Sequence, residues 1–215
     1  MEVKMKSENT LELEIDKLKN ENEGIYFVFK RIFDFIFSMF LFILTLPIVV
    51  LSCLIIFLQD FGQPFYFQRR MGHMGKEFYV VKLRSMKKNA ENGKAQWAKK
   101  NDNRITKFGK IIRKTRIDEL PQLINVIKGD MSLIGPRPER KVFVEEFLIE
   151  IPDFLERLAV KPGLTGWAQV NGGYEIDAKE KLELDKYYVE NISFLLDLKI
   201  FFKTIKVVIT GEGAR

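Results

Sequence analysis

The sequence predicts an α+β protein attached to a membrane, with an N-terminal re-entrant, proline-broken helix and a small, mainly helical domain with a short β-hairpin and interfacial amphipathic helices. Residues 33–58 form an apolar run in which Asp34 is the only charge. Two β-type segments around a glycine-containing turn follow, and helical periodicity dominates the remainder. The predicted division is a polar arm over 1–24, a membrane-inserted helix over 25–60, and a cytoplasmic domain with membrane-surface helices over 61–215.

The composition limits the chemistry. Lysine and arginine total 35 against 29 acidic residues, a formal charge of +6 and an isoelectric point near 9.2, which favours an anionic partner. The single cysteine, Cys53, cannot form an intrachain disulfide. The single histidine, His73, excludes sites that need several imidazoles and favours a carboxylate mechanism. A nucleic-acid binder is disfavoured because the basic residues border apolar segments and form no free patch.

The N-terminal arm is polar, with Leu11, Ile15 and Leu18 at helical spacing. This pattern predicts a frayed or loosely docked amphipathic segment without a chemical role. The arm lacks the organisation of a signal peptide, because the apolar segment begins too late and no small-residue cleavage site follows it.

The apolar run is long enough to enter a membrane, since about 20 apolar residues suffice to cross a bilayer. Pro47 lies in its middle, where it removes one backbone hydrogen bond and favours a bend. Lys30 and Arg31 precede the run, and Arg69 and Arg70 follow it, so both flanks carry the charge typical of a cytoplasmic side. A helix that bends at Pro47 and returns to the same face satisfies both flanks. A single kinked transmembrane helix is the alternative that the sequence leaves open.

The segments after the membrane helix are soluble in character. PFYFQ and KEFYVVKL are predicted to form two strands around RRMGHMG, with His73 as a solvated residue of the turn. Residues 87–103 are polar and predicted to be a mobile, partly helical excursion. ITKFGKIIRKTR is predicted to form an amphipathic basic helix, which beside a membrane segment is expected to face lipid.

The central motif is RKTRIDELPQLINVIKGD, residues 113–130. Its apolar residues recur with helical spacing and predict one helix over 118–128, with Pro121 in its first turn and Gly129 after its end. Asp118 and Glu119 then lie on the first turn, where unpaired N–H groups stabilise negative charge. An ordinary helix start would explain these two acids by itself.

The residues on either side of the pair favour a reactive site. Three cations precede it, and MSLIGPRPER follows it after one short helix. The two prolines of Gly-Pro-Arg-Pro stiffen the chain and hold Arg137 in one direction, suitable for bidentate binding of a phosphate. KPGLTGWAQVNGG is a further glycine-rich loop that presents Trp167.

Four segments in this order resemble the bacterial sugar transferases, that is, the monotopic polyprenyl-phosphate phosphoglycosyl transferases: KRIFDFIFSMFLFILTLPIVV, KLRSM, RKTRIDELPQLINVIKGDMSLIGPRP and KPGLTGWAQVNGG. The resemblance runs over about residues 30–210. It implies transfer of a sugar-1-phosphate from a UDP-sugar to undecaprenyl phosphate, with release of UMP and a need for Mg²⁺ (or Mn²⁺). It also implies a catalytic domain on the cytoplasmic face of the bacterial inner membrane, whose product downstream glycosyltransferases receive.

The resemblance also assigns roles to residues. The aspartate–glutamate pair of the family falls on Asp118 and Glu119, and its phosphate-binding arginine falls on Arg113. Asp118 is then the nucleophile and a metal ligand, while Glu119 is a second ligand or orients the acceptor phosphate. Lys82 and Arg84 are further candidates for contacting the nucleotide-sugar.

The hairpin proline of the family falls on Pro47. The family often has serine before this proline, and here the residue is Leu46. This departure removes one hydrogen-bonding route to a stable kink and leaves the chemistry untouched.

The chemistry agrees with these residue types. A carboxylate can attack phosphorus and form an acyl phosphate, and a metal ion with arginines offsets the repulsion between like charges. A metal-dependent glycosyltransferase is an alternative, but the chain has no Asp-x-Asp and only Glu175-Ile-Asp177 and Glu183-Leu-Asp185. A non-catalytic membrane scaffold would not need a rigid Gly-Pro-Arg-Pro beside two carboxylates. The sequence does not name the sugar or the glycoconjugate pathway.

The C-terminal segment, residues 194–210, is predicted to be a second membrane contact. Lys199, Lys203 and Lys206 form a narrow basic stripe on an otherwise apolar helix. Such lysines can reach anionic lipid headgroups while the aromatic face enters the membrane.

Overall fold

A computed structural model describes residues 24–90, 102–172 and 176–210, together with Leu11, Ile15, Asp16, Leu18 and Asn20. Over these residues the helices are α1 (Ile25–Asp60), α2 (Lys107–Lys114), α3 (Leu123–Lys128), α4 (Lys141–Glu150), α5 (Trp167–Asn171), α6 (Ala178–Glu190) and α7 (Phe194–Thr210). The strands are β1 (Phe65–Met71), β2 (Glu77–Leu83), β3 (Ser132–Ile134) and β4 (Gly163–Thr165). Short 3-10 helices occupy His73–Gly75, Ile117–Gln122 and Pro152–Leu158. The prediction of a mainly helical domain with a short β-hairpin is confirmed.

Helix α1 has 36 residues, and it is long and apolar enough to cross a membrane. Its backbone stays helical on both sides of Pro47, so the proline does not divide the helix, and the predicted bend and return to the same face stay a prediction. The Thr45 hydroxyl donates to the carbonyl of Leu41 at 2.7 Å. A hydroxyl that donates to the preceding turn favours a bend in a helix. Thr45 can therefore supply this hydrogen bond next to Leu46, whose side chain has no hydroxyl.

One stripe of α1 faces the rest of the chain, and it includes buried polar side chains. Asp34 accepts a hydrogen bond from the Ser132 hydroxyl at 2.7 Å and from the N–H of Leu133 at 3.1 Å. Arg31 donates to the last carbonyls of α3, those of Val126 at 2.6 Å and Ile127 at 2.7 Å. The N-terminal part of α1 is therefore attached to α3 and β3.

The C-terminal end of α1 is attached to the same domain. Arg84, directly after β2, forms a two-pronged contact with the Asp60 carboxylate, Nη1 to Oδ2 at 2.8 Å and Nη2 to Oδ1 at 2.5 Å. Val49 and Ile56 pack in one apolar cluster with Leu83 and Ile112. Most large side chains on the opposite side of α1 are exposed, so its outer surface is available to lipid.

The hairpin pairs β1 with β2 antiparallel, from Phe65 opposite Leu83 to Met71 opposite Glu77. His73 lies in the turn as predicted, but it is half-buried, with Nε2 3.0 Å from Oδ1 of Asn20. The turn is therefore covered by the N-terminal arm, and His73 is not a fully solvated residue.

The arm is docked at the positions that the structure describes. Leu11 is buried in a cluster with Met71, Phe154 and Leu182, and Ile15 and Leu18 pack against that cluster. The helical spacing of these three leucine and isoleucine residues thus matches a docked apolar side. Most of the arm, and residues 91–101 of the polar excursion, lie outside the described residues.

A parallel ladder between β3 and β4 joins the Gly-Pro-Arg-Pro loop to the glycine-rich loop, with Ser132 opposite Gly163 and Ile134 opposite Thr165. A Cβ on Gly163 would lie 2.1 Å from the backbone nitrogen of Gly135. Glycine is therefore required there for close packing of the two loops, a pairing that the sequence analysis did not predict.

Some apolar residues of helix α7 lie in the core and others lie on the surface. Leu196 and Ile200 are buried in a cluster with Tyr188, whereas Phe202 and Ile209 are exposed. The ammonium groups of Lys199 and Lys203 lie over the Trp167 ring, 5.1 and 5.0 Å from its centroid. Two of the three lysines of the predicted basic stripe therefore contact an indole of the same chain, while Lys199 and Lys206 are both exposed.

Candidate active site

The carboxylate pair lies on a 3-10 helix and not on the α-helix that the periodicity predicts. The 3-10 helix runs over Ile117–Gln122, and α3 begins at Leu123. Pro121 has no N–H, so it cannot make the α-type hydrogen bond to the carbonyl of Ile117. The tighter 3-10 geometry therefore continues until after the proline. Gly129 ends α3 in the left-handed conformation, as predicted.

Glu119 is held by two cations that come from distant segments. Its Oε1 accepts from Nζ of Lys82 on β2 at 2.9 Å. Arg137 of the Gly-Pro-Arg-Pro loop binds both carboxylate oxygens, Nη2 contacting Oε1 and Nη1 lying 3.4 Å from Oε2. Burial raises the pKa of Glu119. The charges of Arg137 and Lys82 lower it by more than burial raises it, so the pKa lies well below its ordinary value. Glu119 is therefore ionised at neutral pH.

Asp118 is buried, with 7% of its surface exposed. Burial and, next, the charge of Glu119 raise the pKa of Asp118 to about 6, although Lys82, Arg113 and Arg137 oppose the shift. The two neighbouring carboxylates thus differ in proton affinity. Such a separation is typical of paired acids with different tasks in one site.

Two buried donors beside the pair have no hydrogen-bond partner among the described residues. They are Nη1 of Arg113, in the last turn of α2, and Nε2 of Gln122, at the end of the 3-10 helix. A buried donor without an acceptor costs about 1–3 kcal/mol. Since Arg113 is close enough to lower the pKa of Asp118, its free guanidinium nitrogen is suited to an anionic ligand next to that carboxylate.

The direction of Arg137 is fixed by a second layer of contacts that the sequence analysis missed. Nη2 of Arg157 donates to the carbonyl of Arg137 at 2.7 Å. The same guanidinium binds Asp185 through Nη2 at 2.7 Å and Nε at 2.9 Å, and both side chains are 1% exposed. Arg157 and Asp185 lie in segments that look like solvated amphipathic helices in the sequence, so no local signal distinguishes them.

Glu139 anchors the other end of this loop. Its carboxylate contacts Lys181 and lies 3.2 Å from Nη1 of Arg70, and Arg70 also donates to the carbonyl of Pro138 at 3.0 Å. Burial raises the pKa of Glu139, but the charges of Lys181 and Arg70 outweigh this and bring it to about 2. The loop that carries Arg137 is therefore held on both sides by buried ion pairs.

In the structure Arg84 binds a carboxylate at the end of α1, and its predicted contact with the nucleotide-sugar stays a prediction. Its guanidinium binds Asp60 at the end of α1, and in the described structure it has no contact with Glu119. Lys82, two residues earlier, does reach the carboxylate pair. The alternation of side chains along a strand puts residues 82 and 84 on the same face, but Arg84 lies beyond the end of β2.

The carboxylates of the site could bind a divalent metal ion only if a substrate supplied further ligands. Among the described residues, no group of three histidine, cysteine, aspartate or glutamate side chains could hold a metal ion. Mg²⁺ is commonly bound by one or two carboxylates plus substrate phosphates. Asp118 fits that role best, because the oxygens of Glu119 already bind Lys82 and Arg137.

The acids of the alternative glycosyltransferase motif have structural tasks. Asp177 caps the N-terminus of α6, where its Oδ1 accepts from the N–H groups of Lys179 at 2.9 Å and Glu180 at 2.8 Å. Asp185 is bound to Arg157, and Glu175 lies outside the described residues. Asp177 and Asp185 are therefore already engaged in structural contacts.

Comparison with known proteins identifies relatives of this chain. Residues 25–211 match the family model described as bacterial sugar transferase. The chain is 46% identical over 194 residues to a UDP-N-acetylgalactosamine-undecaprenyl-phosphate N-acetylgalactosaminephosphotransferase of Aeromonas hydrophila, a match that covers 89% of this chain and 46% of that protein.

Two further relatives carry different sugar names. An undecaprenyl-phosphate galactose phosphotransferase of Salmonella typhimurium is 38% identical over 200 residues, covering 86% of this chain and 41% of the relative. A UDP-glucose:undecaprenyl-phosphate glucose-1-phosphate transferase of Klebsiella pneumoniae is 42% identical over 187 residues, covering 85% and 40%. The match thus spans less than half the length of each of these three relatives.

Proposed function

Because the chain belongs to the bacterial sugar transferase family, we propose that it transfers a sugar-1-phosphate from a UDP-sugar to undecaprenyl phosphate. The products are undecaprenyl-diphosphate-sugar and UMP. The observation that carries the proposal is the buried Asp118 carboxylate beside a Glu119 held by Lys82 and Arg137. The names of the relatives, which differ in the sugar but share the undecaprenyl phosphate acceptor, support the same reaction class.

The proposed reaction has two displacements at one phosphorus atom. An Asp118 oxygen attacks the phosphorus that carries the sugar, the bond to the bridging oxygen breaks, and UMP leaves with that oxygen and its electron pair. An oxygen of undecaprenyl phosphate then attacks the aspartyl phosphate and releases the Asp118 carboxylate. Splitting the transfer in this way replaces one difficult step by two easier ones.

The other residues position and neutralise phosphate groups. The unpartnered nitrogen of Arg113 binds a phosphate oxygen of the donor. Lys82 and Arg137, held by Glu119, present positive charge at the same place, since phosphoryl transfer depends mainly on positioning and charge stabilisation. A bound Mg²⁺ (or Mn²⁺), with Asp118 as its best-fitting protein ligand, would supply further charge neutralisation.

The test is product analysis with membranes that contain the protein. Undecaprenyl phosphate and a panel of UDP-sugars, including UDP-N-acetylgalactosamine, UDP-galactose and UDP-glucose, are supplied, and the released nucleotide is identified. We expect UMP in amounts that match the lipid-linked sugar phosphate. Release of UDP would instead identify a glycosyltransferase and contradict the proposal.

The first displacement should depend on pH through Asp118. Because the pKa of Asp118 is raised to about 6, the nucleophilic carboxylate is lost as the pH falls through that value. The rate of adduct formation should be nearly constant above about pH 7 and fall roughly tenfold per unit below about pH 6. Single-turnover experiments with UDP-sugar and no acceptor measure this step alone, because they exclude the titrating phosphate of the lipid, whose second pKa is about 6. A rate that does not change between pH 5 and pH 7.5 would contradict the assignment.

We also propose that α1 is re-entrant, with its two ends on the cytoplasmic face of the bacterial inner membrane. A straight α-helix of 36 residues would be about 54 Å long, well beyond the roughly 30 Å of hydrocarbon in a bilayer. Support comes from Arg31 and Asp34 near one end and Asp60 at the other, which all bind polar groups of one domain. The exposed outer side of α7, with Phe202 and Ile209, adds a second contact with anionic membrane lipid.

Cysteine labelling distinguishes this topology from a single span. After replacement of Cys53 by serine, Ser7→Cys and Lys179→Cys are compared in intact cells with an impermeant thiol reagent. Lys179 is exposed on α6 and reports the side of the catalytic domain. We expect both cysteines to react only after the membrane is permeabilised. Labelling of residue 7 but not of residue 179 in intact cells would show that α1 crosses the membrane.

A further inference from the structure

A cavity of about 400 Å³ lies between the N-terminal part of α1, the start of β3 and the end of α6. Its walls include Phe27, Val28, Ile32, Ile134 and Val160, and it is separate from the carboxylate pair, since none of Arg113, Asp118, Glu119 or Arg137 lines it. The proposed reaction makes no use of this cavity.

The cavity contains more positive charge than its own contacts neutralise. Lys30 is paired with Asp197. The two oxygens of Asp34 accept from Ser132 and Leu133. Lys161 also lines the cavity, and its ammonium has no hydrogen-bond or ion-pair partner within the part of the chain that the structure describes. The cavity is therefore complementary to an anion.

Two further features make the cavity more positive: Arg31 and the N-terminus of α1. Arg31 lines the same cavity, and burial followed by the charge of Arg31 lowers the pKa of Lys161, with Asp34 and Asp130 opposing the shift in part. The N-terminus of α1 also borders the cavity at Gly24, and its first turn has no acidic side chain. A negative group bound there would relieve the repulsion between Arg31 and Lys161.

The apolar side of the cavity continues onto the surface of α1 that faces lipid. Val28 and Ile32 line the cavity and remain 55% and 51% exposed. A ligand with an anionic head and a hydrocarbon chain can thus place its charge at Lys161 and its chain along α1. A small hydrophilic anion would leave this apolar wall exposed to water.

The position of the cavity excludes the reacting phosphates as its occupant. Arg31 binds the carbonyls of Val126 and Ile127, at the far end of the segment that begins with Asp118. A short 3-10 helix followed by α3 spans roughly 15 Å over that distance. A phosphate in the cavity would therefore lie too far from Asp118 to be attacked.

We propose that this cavity binds the phosphodiester head group of an anionic phospholipid such as phosphatidylglycerol, with Lys161 paired to the phosphate and an acyl chain along Phe27, Val28 and Ile32. Bound there, the lipid bridges α1 and the loop after Val160. It thereby stabilises the attachment of the membrane helix to the catalytic domain. This inference depends on membrane association and not on the proposed transfer reaction.

Thermal unfolding in lipid nanodiscs tests the site. The wild type, Lys161→Gln and Lys179→Gln are compared in phosphatidylcholine and in phosphatidylcholine that contains phosphatidylglycerol. We expect phosphatidylglycerol to raise the Tm of the wild type and of Lys179→Gln by about 3–6 °C, and to leave the Tm of Lys161→Gln unchanged. Lys161→Arg should keep the shift. Equal shifts in all variants would show a general surface effect and overturn the proposal.

A measurement on the wild type alone protects the test against a variant that fails to fold. Photoreactive phosphatidylglycerol should crosslink within residues 24–34 and 160–162, and crosslinks confined to residues beyond 40 would overturn the site.

Inorganic phosphate and glycerol phosphate in nanodiscs of phosphatidylcholine should give no Tm shift at the concentration of the lipid. A shift equal to that of phosphatidylglycerol would assign the cavity to a free phosphate. Displacement of the crosslink by undecaprenyl phosphate would assign it to the acceptor, and either result contradicts the phospholipid.

Discussion

Replacement of Asp118 by asparagine is expected to abolish the sugar-phosphate adduct and to lower turnover on the order of 10⁴-fold or more. The amide has nearly the same shape as the carboxylate but cannot form an acyl phosphate. The measurement is mass spectrometry of the protein after incubation with UDP-sugar alone, in parallel with UMP release. A wild-type protein that turns over without ever carrying the adduct would disprove the covalent mechanism.

The same substitution should stabilise the fold, which separates loss of chemistry from loss of structure. The pKa of Asp118 is about 6 in the folded chain and about 3.9 in an unfolded chain. The folded state therefore keeps a proton that the unfolded state releases, and the carboxylate lowers stability as the pH rises through that interval. Asparagine removes this penalty. At pH 7.5 we expect a gain on the order of 2 kcal/mol in the free energy of unfolding.

Glu119→Gln is the matched control and should have the opposite sign. The pKa of Glu119 is held low by Arg137 and Lys82 against the effect of burial, so the folded state is stabilised by its charge above the unfolded pKa. The glutamine variant removes the negative charge that the partly buried cations Lys82 and Arg137 bind, and it should lower the Tm at pH 7.5. Equal shifts of the two variants in the same direction would contradict the assignment of different proton affinities.

The second large effect is expected at Asp185, far from the reacting atoms. Asp185→Ala leaves the guanidinium of Arg157, which is 1% exposed, without its counter-charge. Loss of one partner of a buried ion pair costs about 3–5 kcal/mol. Because Arg157 also donates to the carbonyl of Arg137, turnover should fall at temperatures where the variant is still folded. Chemical denaturation and UMP release measure the two effects.

Glu156→Ala is the control for this prediction, because Glu156 pairs with Lys186 on the surface at 2.7 Å and is 47% exposed. Surface ion pairs contribute about 0–1 kcal/mol, so this variant should unfold near the wild-type denaturant concentration. If Asp185→Ala and Glu156→Ala lose the same stability, the Arg157–Asp185 pair does not support the loop that carries Arg137.

The sequence by itself determined the parts of the protein that depend on local physics. A long apolar run predicts a membrane helix without reference to the rest of the chain, and α1 (Ile25–Asp60) agrees. Alternation around glycine predicts the hairpin, and the pairing of β1 with β2 confirms it. The prediction of a single α-helix over 118–128 was wrong before Leu123, where the chain forms a 3-10 helix. Helical periodicity does not distinguish a 3-10 helix from an α-helix over so short a segment.

Only the tertiary structure decided which charged side chains pair with one another. Lys82 and Glu119 are 37 residues apart, and Glu119 and Arg137 are 18 apart. A charged residue in a sequence has many partners of opposite sign, and the choice depends on which segments pack together. The fold brings Lys82 to Glu119 but uses Arg84 to hold Asp60, and it turns Arg157 and Asp185 into a buried support for Arg137. Such pairings carry no local periodicity, because they arise from contacts between segments that are remote along the chain.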